Sequence, residues 1–300
     1  MSNKKDDIIE NIYNEFYGSI QNTLKDARKI DPKIKYEDVK EWYEKNLTKK
    51  KNLKGYNSYI ADYPYQEYQM DLFFINDAEK QDFNIGLLMI DIFTKFISVI
   101  PLKTKLADDV LQGIKEAISN MGHNPEMLYT DDEGSFHSKD ADKFYKAKHI
   151  KHIITRSHAT YAERAIRTIK DMIYKRLEKS PDENWYSHKI LYNALFTYNY
   201  KNENSISGMT PSDAKKPENI FQVKAQLEIK RVKKRKYPDV SIGDYIRIYT
   251  KKKNFQKERI PVWSNNKYKV IKIEQSHGQN FYHIEGRDRS LLRHEILLQK

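Results

Sequence analysis

The chain has 300 residues, 39% hydrophobic and 32% charged, enough apolar material for two or three domains but more charge than an ordinary globular protein carries. Lys and Arg number 54 against 42 Asp and Glu, a net charge of +12 that points to an anionic partner such as nucleic acid. Cysteine is absent, which excludes disulfides and every zinc site built on thiolates, and no window has the character of a signal peptide or a membrane span. A soluble intracellular protein without a membrane partner is therefore expected, its nine histidines at structural or surface positions.

Residues 1–62 read as helical. In DDIIENIYNEFYGSIQNTLKDARKI, Ile8, Ile12, Phe16, Ile20 and Leu24 recur at every fourth position, as on one helix face. After the Asp31-Pro32 break, KYEDVKEWYEKNL predicts a second helix with Val39, Trp42 and Tyr43 as its apolar side. The basic, Tyr-rich TKKKNLKGYNSYIADYPY is expected to be irregular. Then the periodicity changes. YQMDLFFI alternates, with Met70, Leu72 and Phe74 on one face and Asp71 and Phe73 on the other. FNIGLLMIDIF is a nearly unbroken apolar run, a buried strand, and KFISVIPL follows it closely, so the three strands should pair antiparallel.

TKLADDVLQGIKEAISNMG predicts an amphipathic helix with Ala107, Val110, Leu111, Ile114, Ala117 and Ile118 inward. Strand EMLYTD, a short helix near SKDADKFYKAK, strand KHIIT and a long helix from about Ala159 come next. This order predicts a mixed sheet of five strands with helices on both faces, in a multidomain α/β protein. WYSHKILYNALFTYNY reads as a further helix, KNENSISGMTPSDA as a loop, and KAQLEIKRVKKRKYPD as a linker or an exposed basic helix. The last sixty residues alternate like the strands of a small β-barrel.

Three acids stand out against this background. Asp71 lies in mid-strand, where a carboxylate is costly to desolvate unless a cation or hydrogen bonds satisfy it. Asp131 opens the run Asp131-Asp132-Glu133 at a strand's carboxyl end, the end at which such sheets bind ligands. Glu163 is on the long helix, whose packing stripe is Ala162, Ala165, Ile166, Ile169 and Ile173; with Arg167, Lys170 and Tyr174 it occupies another face. Seen singly, these are a wet edge strand, a solvated turn and an ion-pair ladder. Together they could converge on a pair of divalent metal ions able to drive an in-line displacement at phosphorus, with Arg167 and Lys170 holding DNA phosphates beside it.

At these residues the sequence resembles the DDE integrases of retroviruses and retrotransposons, which have a ribonuclease-H-like core, and most of all those of Polinton/Maverick elements and virophages. YQMDLFF, YTDDEGSF and YAERAIRTIK carry the likeness, followed by TYNYKNENSISGMTPSDA with its Tyr-Asn and Gly-x-Thr-Pro elements. GDYIRIYTKKKNFQKERIPVWSNNKYKVIKI resembles that family's terminal SH3-like or chromodomain-like barrel. The resemblance implies an N-terminal helical domain over 1–62, a catalytic core over 63–215, a basic linker over 216–238 and the barrel over 239–300. It implies Asp71, Asp131 and Glu163 as catalytic and metal-binding, with two magnesium or manganese ions. Arg164, Arg167, Lys170, Arg231, Lys233, Lys234 and Arg235 would bind DNA.

The implied activity is trimming of the 3′ ends of element or viral DNA and their joining to target DNA. A homo-oligomer, dimer or tetramer, would act in a eukaryotic nucleus or a virion, with chromatin as a possible further partner. Alternatives are a cut-and-paste transposase, a plain ribonuclease-H-like nuclease, or a catalytically silent DNA or chromatin binder. Four departures from the family pattern stand out. Its Gly after the second Asp is displaced to Gly134, the interval from Asp131 to Glu163 is short, and the histidine expected after the Tyr-Asn pair is missing. Without cysteine, the N-terminal domain cannot hold the family's zinc. In the barrel, Trp263, Tyr245 and Tyr268 could form a cage for methyl-lysine or could be core.

Overall fold

The computed structural model describes residues 4–47, 59–75, 82–154, 160–233, 237–250, 263–276 and 279–299. Two compact units divide the chain, one over 54–236 and one combining 1–53 with 237–300.

The N-terminal segment holds three helices, α1 (Lys4–Phe16), α2 (Ile20–Ile30) and α3 (Tyr36–Asn46). The single long first helix expected from the every-fourth pattern is thus two. A step of four residues overshoots one α-helical turn by about 40°, so five such positions drift by about 160° and cannot share a face. The chain breaks at Tyr17, in left-handed backbone at φ 49°, and restarts where the Ser19 hydroxyl accepts from the Asn22 N–H at 3.3 Å. The buried set is Ile9, Ile12, Ala27, Ile34, Val39, Trp42 and Tyr43, while Phe16 is 61% exposed. The second-helix expectation holds.

The larger unit is built on a five-stranded mixed sheet ordered β3-β2-β1-β4-β5, from β1 (Glu67–Phe74), β2 (Ile85–Asp91), β3 (Ile97–Leu102), β4 (Met127–Thr130) and β5 (Lys151–Ile154). The first three pair antiparallel; β4 joins β1, and β5 joins β4, in parallel. On one face lie α4 (Ala107–Met121) and α5 (Lys139–Ala147), packed on Tyr68, Met70, Leu87, Met89 and Leu128. On the other, Ala162, Ala165, Ile169 and Ile173 of α6 (Thr160–Lys179) bury against Phe73, Leu88 and Ile90. Burying Ile169 and Ile173 contributes about 1.5–3 kcal/mol each. The apolar run of β2 thus serves both layers alternately, as a strand buried on two faces must.

Beyond α6, α7 (Asn193–Phe196) is flanked by π-helical turns over His188–Tyr192 and Thr197–Lys201. Asn199 ties this helix to the sheet: its amide accepts from the Ile97 N–H at 3.0 Å and donates to the Ile97 carbonyl at 2.9 Å. The Gly-x-Thr-Pro element is a helix start. Gly208 takes φ 68°, Thr210 caps α8 (Pro211–Ala214) by accepting from the Asp213 N–H at 3.1 Å, and Pro211 needs no donor at the first helical position. Within the segment expected to be a linker, α9 (Ile220–Ile229) buries Val223 and Leu227 in the same core as α6.

The C-terminal segment forms an antiparallel sheet ordered β10-β6-β7-β8-β9, from β6 (Tyr245–Ile248), β7 (Tyr268–Ser276), β8 (Gln279–Ile284), β9 (Leu291–Leu292) and β10 (Ile296–Gln299). Ile246, Ile248, Val270, Tyr282, Ile284, Leu291 and Ile296 are its core. No ring contact joins Trp263, Tyr245 and Tyr268. Trp263 meets Tyr249 edge-on at 5.7 Å, and Arg287 covers the Tyr268 ring at 5.3 Å. No helix among the described residues is long and apolar enough to cross a membrane.

Candidate active site

The sheet register sets the geometry of the first two acids. Glu67, Tyr68 and Gln69 of β1 lie opposite Met127, Leu128 and Tyr129 of β4. The paired ladder ends at Gln69 and Tyr129; Asp71 lies two residues further along β1, and Asp131 directly follows β4. Asp71 is half-buried, and its carboxylate accepts from the Leu72 N–H at 2.8 Å.

The third acid arrives on α6. Gln69 Oε1, on the same face as Asp71, accepts from the Tyr161 N–H at 3.0 Å, and the Tyr161 hydroxyl donates to the Tyr59 carbonyl at 2.8 Å. These bonds dock the first turn of α6 beside Asp71, and Glu163 stands two residues past Tyr161. Residues 155–159, where the loop before α6 is expected to be tight, lie outside the described residues.

The neighbours of Asp131 have other partners. Asp132 faces His137, Oδ1 to Nε2 at 3.6 Å, and Glu133 pairs with Lys105 at 3.5 Å. Both are rim contacts of the turn that leads into the short 3₁₀ helix Gly134–His137. Among the described residues no group of three or more His, Asp or Glu side chains stands close enough to hold one metal ion. Asp71 lies in β1, Asp131 directly follows β4, and Glu163 is on the first turn of α6. Their donor set consists of carboxylate oxygens alone, which suits a hard divalent cation that keeps water and phosphate among its ligands.

Of the expected DNA-binding residues, Arg164 and Arg167 are exposed on α6, and Lys170 is half-buried with its ammonium 5.9 Å from the Tyr174 ring centroid. Arg231 pairs with Glu228 at 3.3 Å just past α9, and Lys233 is exposed. Lys234 and Arg235 lie outside the described residues.

On the same strand is a buried ionisable group that period-two counting back from Asp71 would have found. Glu67, Gln69 and Asp71 share one face of β1. Glu67 is 1% exposed, its Oε2 has no hydrogen-bond partner among the described residues, and burial pushes its carboxyl up to about 8. Burial likewise lowers Lys95 to about 8. Asp91, at the end of β2, is raised by burial although the Phe93 N–H at 2.8 Å and the Thr94 hydroxyl at 3.0 Å both donate to it.

Residues 61–159 match the family model described as the integrase core domain. An uncharacterized transposon-derived protein of Caenorhabditis elegans is 23% identical over 184 residues, which are 61% of this chain and 60% of that one. The chain thus spans less than two thirds of that relative. A simian T-cell lymphotropic virus intasome, solved in complex with a PP2A regulatory subunit, aligns over 97% of this chain and 99% of its own. The TM-score is 0.60 and the identity 13%, a likeness of fold. The HTLV-2 integrase catalytic core solved with magnesium aligns over 50% of this chain and 96% of its own, at 25% identity and a TM-score of 0.43.

Proposed function

Because residues 61–159 match the integrase core domain and the fold is like that of a retroviral intasome, we propose that this protein is a DNA integrase that trims the 3′ ends of a linear element and joins them to target DNA. The observation that supports this best is the parallel pairing of β1 with β4, since Asp71 lies two residues past the paired Gln69 and Asp131 two past its partner Tyr129, while Gln69 also binds the start of the helix that carries Glu163. In this reading Asp71, Asp131 and Glu163 hold two magnesium or manganese ions, which would polarise the phosphoryl oxygens and acidify the attacking hydroxyl.

The chain's own contribution is positional. Arg167 and Lys170 stand one and two turns past Glu163 and hold the phosphates flanking the scissile bond, so binding weakens steeply with salt. In joining, the element's 3′-oxygen bonds to a target phosphorus as the bond from that phosphorus to the target's own 3′-oxygen breaks. The proton moves from the attacking hydroxyl to the leaving one through solvent. No covalent bond to protein is required.

The proposed partners are double-stranded DNA and further copies of the chain. His188, Tyr192, Phe196 and Tyr200 stack in a row along α7 and its π turns, with Phe196 39% exposed. An α turn holds 3.6 residues and a π turn more than four, so steps of four overshoot in one and fall short in the other, and the row stays straight. Such an apolar stripe on an otherwise charged chain suits a self-association surface. The same proposal takes the C-terminal sheet as an SH3-like or chromodomain-like barrel gripping DNA with the basic segment before it. The N-terminal helices need no zinc, and the protein acts in a nucleus or virion.

The test uses a labelled duplex with a recessed 3′ end, target plasmid and manganese or magnesium. Label should enter the plasmid with wild type and with Asp132→Asn, and not with Glu163→Gln, although that variant still binds the duplex. Nicking without joining would replace the proposal by a nuclease, and salt-sensitive binding without cleavage by a silent binder.

A further inference from the structure

Behind the first turns of α6, a cavity of 290 Å³ opens between that helix and the loop 202–206 that follows α7. Tyr161, Arg164 and Thr168 line it; spaced three and four apart, they form a helix face turned about 100° from Glu163 and Arg167. The loop wall is built in advance. The Asn204 N–H donates to the Met209 carbonyl and the Gly208 N–H to the Asn204 carbonyl, each at 2.8 Å. From α9's end, Lys230 Nζ donates to the Ser205 and Ile206 carbonyls.

Two cations converge on this space. Lys95, 4% exposed, forms its floor. Its ammonium donates to the Ile92 carbonyl and stands 4.0 Å from the Tyr161 ring centroid, and no carboxylate of a described residue is in ion-pair contact with it. Arg164 is exposed at the mouth, and its guanidinium makes no hydrogen bond or ion pair with any described residue. Asn204 Oδ1 accepts from the Ile206 N–H at 2.9 Å, so its amide nitrogen is the group left to donate. Asn202 adds a second amide, and the Thr168 hydroxyl, which donates to the Arg164 carbonyl at 3.2 Å, lines the wall. Asp91 and Glu67 lie deeper and offset part of the Lys95 charge, and Glu203 is exposed at the lip.

We propose that this cavity binds a phosphate group, with Lys95 beneath it, Arg164 at its mouth, and the Asn202 and Asn204 amides around it. A carboxylate would be satisfied by the flat fork of one arginine. Donors approaching from the floor, the helix and the loop suit a tetrahedral, multiply charged oxyanion. The phosphate could belong to a DNA backbone or to a small phosphorylated molecule. The chemistry is shared, and it does not depend on the integrase reading.

Titration calorimetry of the full chain with inorganic phosphate, against chloride at matched ionic strength, tests the site. Wild type should bind one phosphate per chain, Arg164→Ala about tenfold more weakly. Thr168→Leu, which fills the cavity from an exposed helix position, should abolish binding. Lys95→Met is the direct variant but replaces a buried side chain, so the two surface variants decide. If duplex DNA displaces the phosphate, or if DNA alone binds and both variants weaken it, the backbone is the source. If phosphate and DNA bind together, the ligand is a small molecule. Saturable phosphate binding that both variants leave intact would overturn the proposal. So would its absence combined with unchanged DNA affinity in both.

Discussion

Burial of Glu67 beneath the first turn of α6 makes the stability of the core depend on pH in a stated direction. In the unfolded chain this carboxyl ionises near 4.5, and in the folded core near 8, because burial disfavours the charge. Between those values the unfolded state has lost a proton that the folded state keeps, so stability falls as pH rises from about 4.5 to about 8. Each pH unit of separation is worth about 1.4 kcal/mol, which makes the full loss on the order of 5 kcal/mol at most. Lys95 acts with the opposite sign at higher pH. Its folded value near 8 lies below its ordinary 10.5, so stability recovers across that window. A minimum near pH 8 follows. With m-values of about 2–3 kcal/mol/M, the urea midpoint should drop by about 1–2 M between pH 5 and pH 8. Trp185, fully buried and donating to the Phe83 carbonyl at 2.6 Å, reports on the core once Trp42 and Trp263 are replaced by Phe. Glu67→Gln keeps the shape and removes this titration, so its midpoint should fall clearly less than that of wild type from pH 5 to pH 8, with Asp91, also raised by burial, contributing to what remains. A wild-type midpoint that stays level, or a Gln variant that falls just as far, would refute the reasoning.

Four further outcomes are expected. Gly86→Ala should cost about 1–3 kcal/mol, because a β-carbon there would lie 2.2 Å from the Phe73 ring; denaturant melts should show Phe73→Leu in the same chain recovering part of it. Asn199→Ala should cost about 1–3 kcal/mol in the same melts, since it strips both polar groups of Ile97 of their partner. Phe196→Lys, in the exposed aromatic row, should shift sedimentation toward smaller species without changing the core's melting. Arg167→Ala should lower the slope of log affinity against log salt for duplex DNA by about one.

The succession of strands and helices and both helical layers could be read from the sequence because each element carries its own periodicity; the strand order within the sheet could not, since it is set by pairing between distant segments. Alternation in YQMDLFFI and the stripe Ala162-Ala165-Ile169-Ile173 are local signals, and the structure follows both. The break at Tyr17 was hidden because an every-fourth pattern looks helical over two or three steps and fails only when its drift is summed. Burial of Val223 and Leu227 was hidden for a different reason. The dense positive charge of the following residues masks a short apolar pair whose partners lie far away in sequence. Asn199 and Glu67 share that difficulty. An amide that clamps Ile97 and an acid sealed beneath α6 are defined by partners that no local window contains.

The same contrast separates the three consecutive acids after Thr130. Composition cannot choose among Asp131, Asp132 and Glu133, but their places in the fold differ. Asp132 and Glu133 pair with His137 and Lys105 on the turn, whereas Asp131 directly follows β4, the strand paired with the one that carries Asp71. The proposed choice of Asp131 therefore rests on pairing between strands rather than on acidic character. Asp71 sits in β1 and Asp131 directly follows β4, while Glu163 rides on α6, which is docked by the contact of Gln69 with the Tyr161 N–H and by the packing of Ala162, Ala165, Ile169 and Ile173.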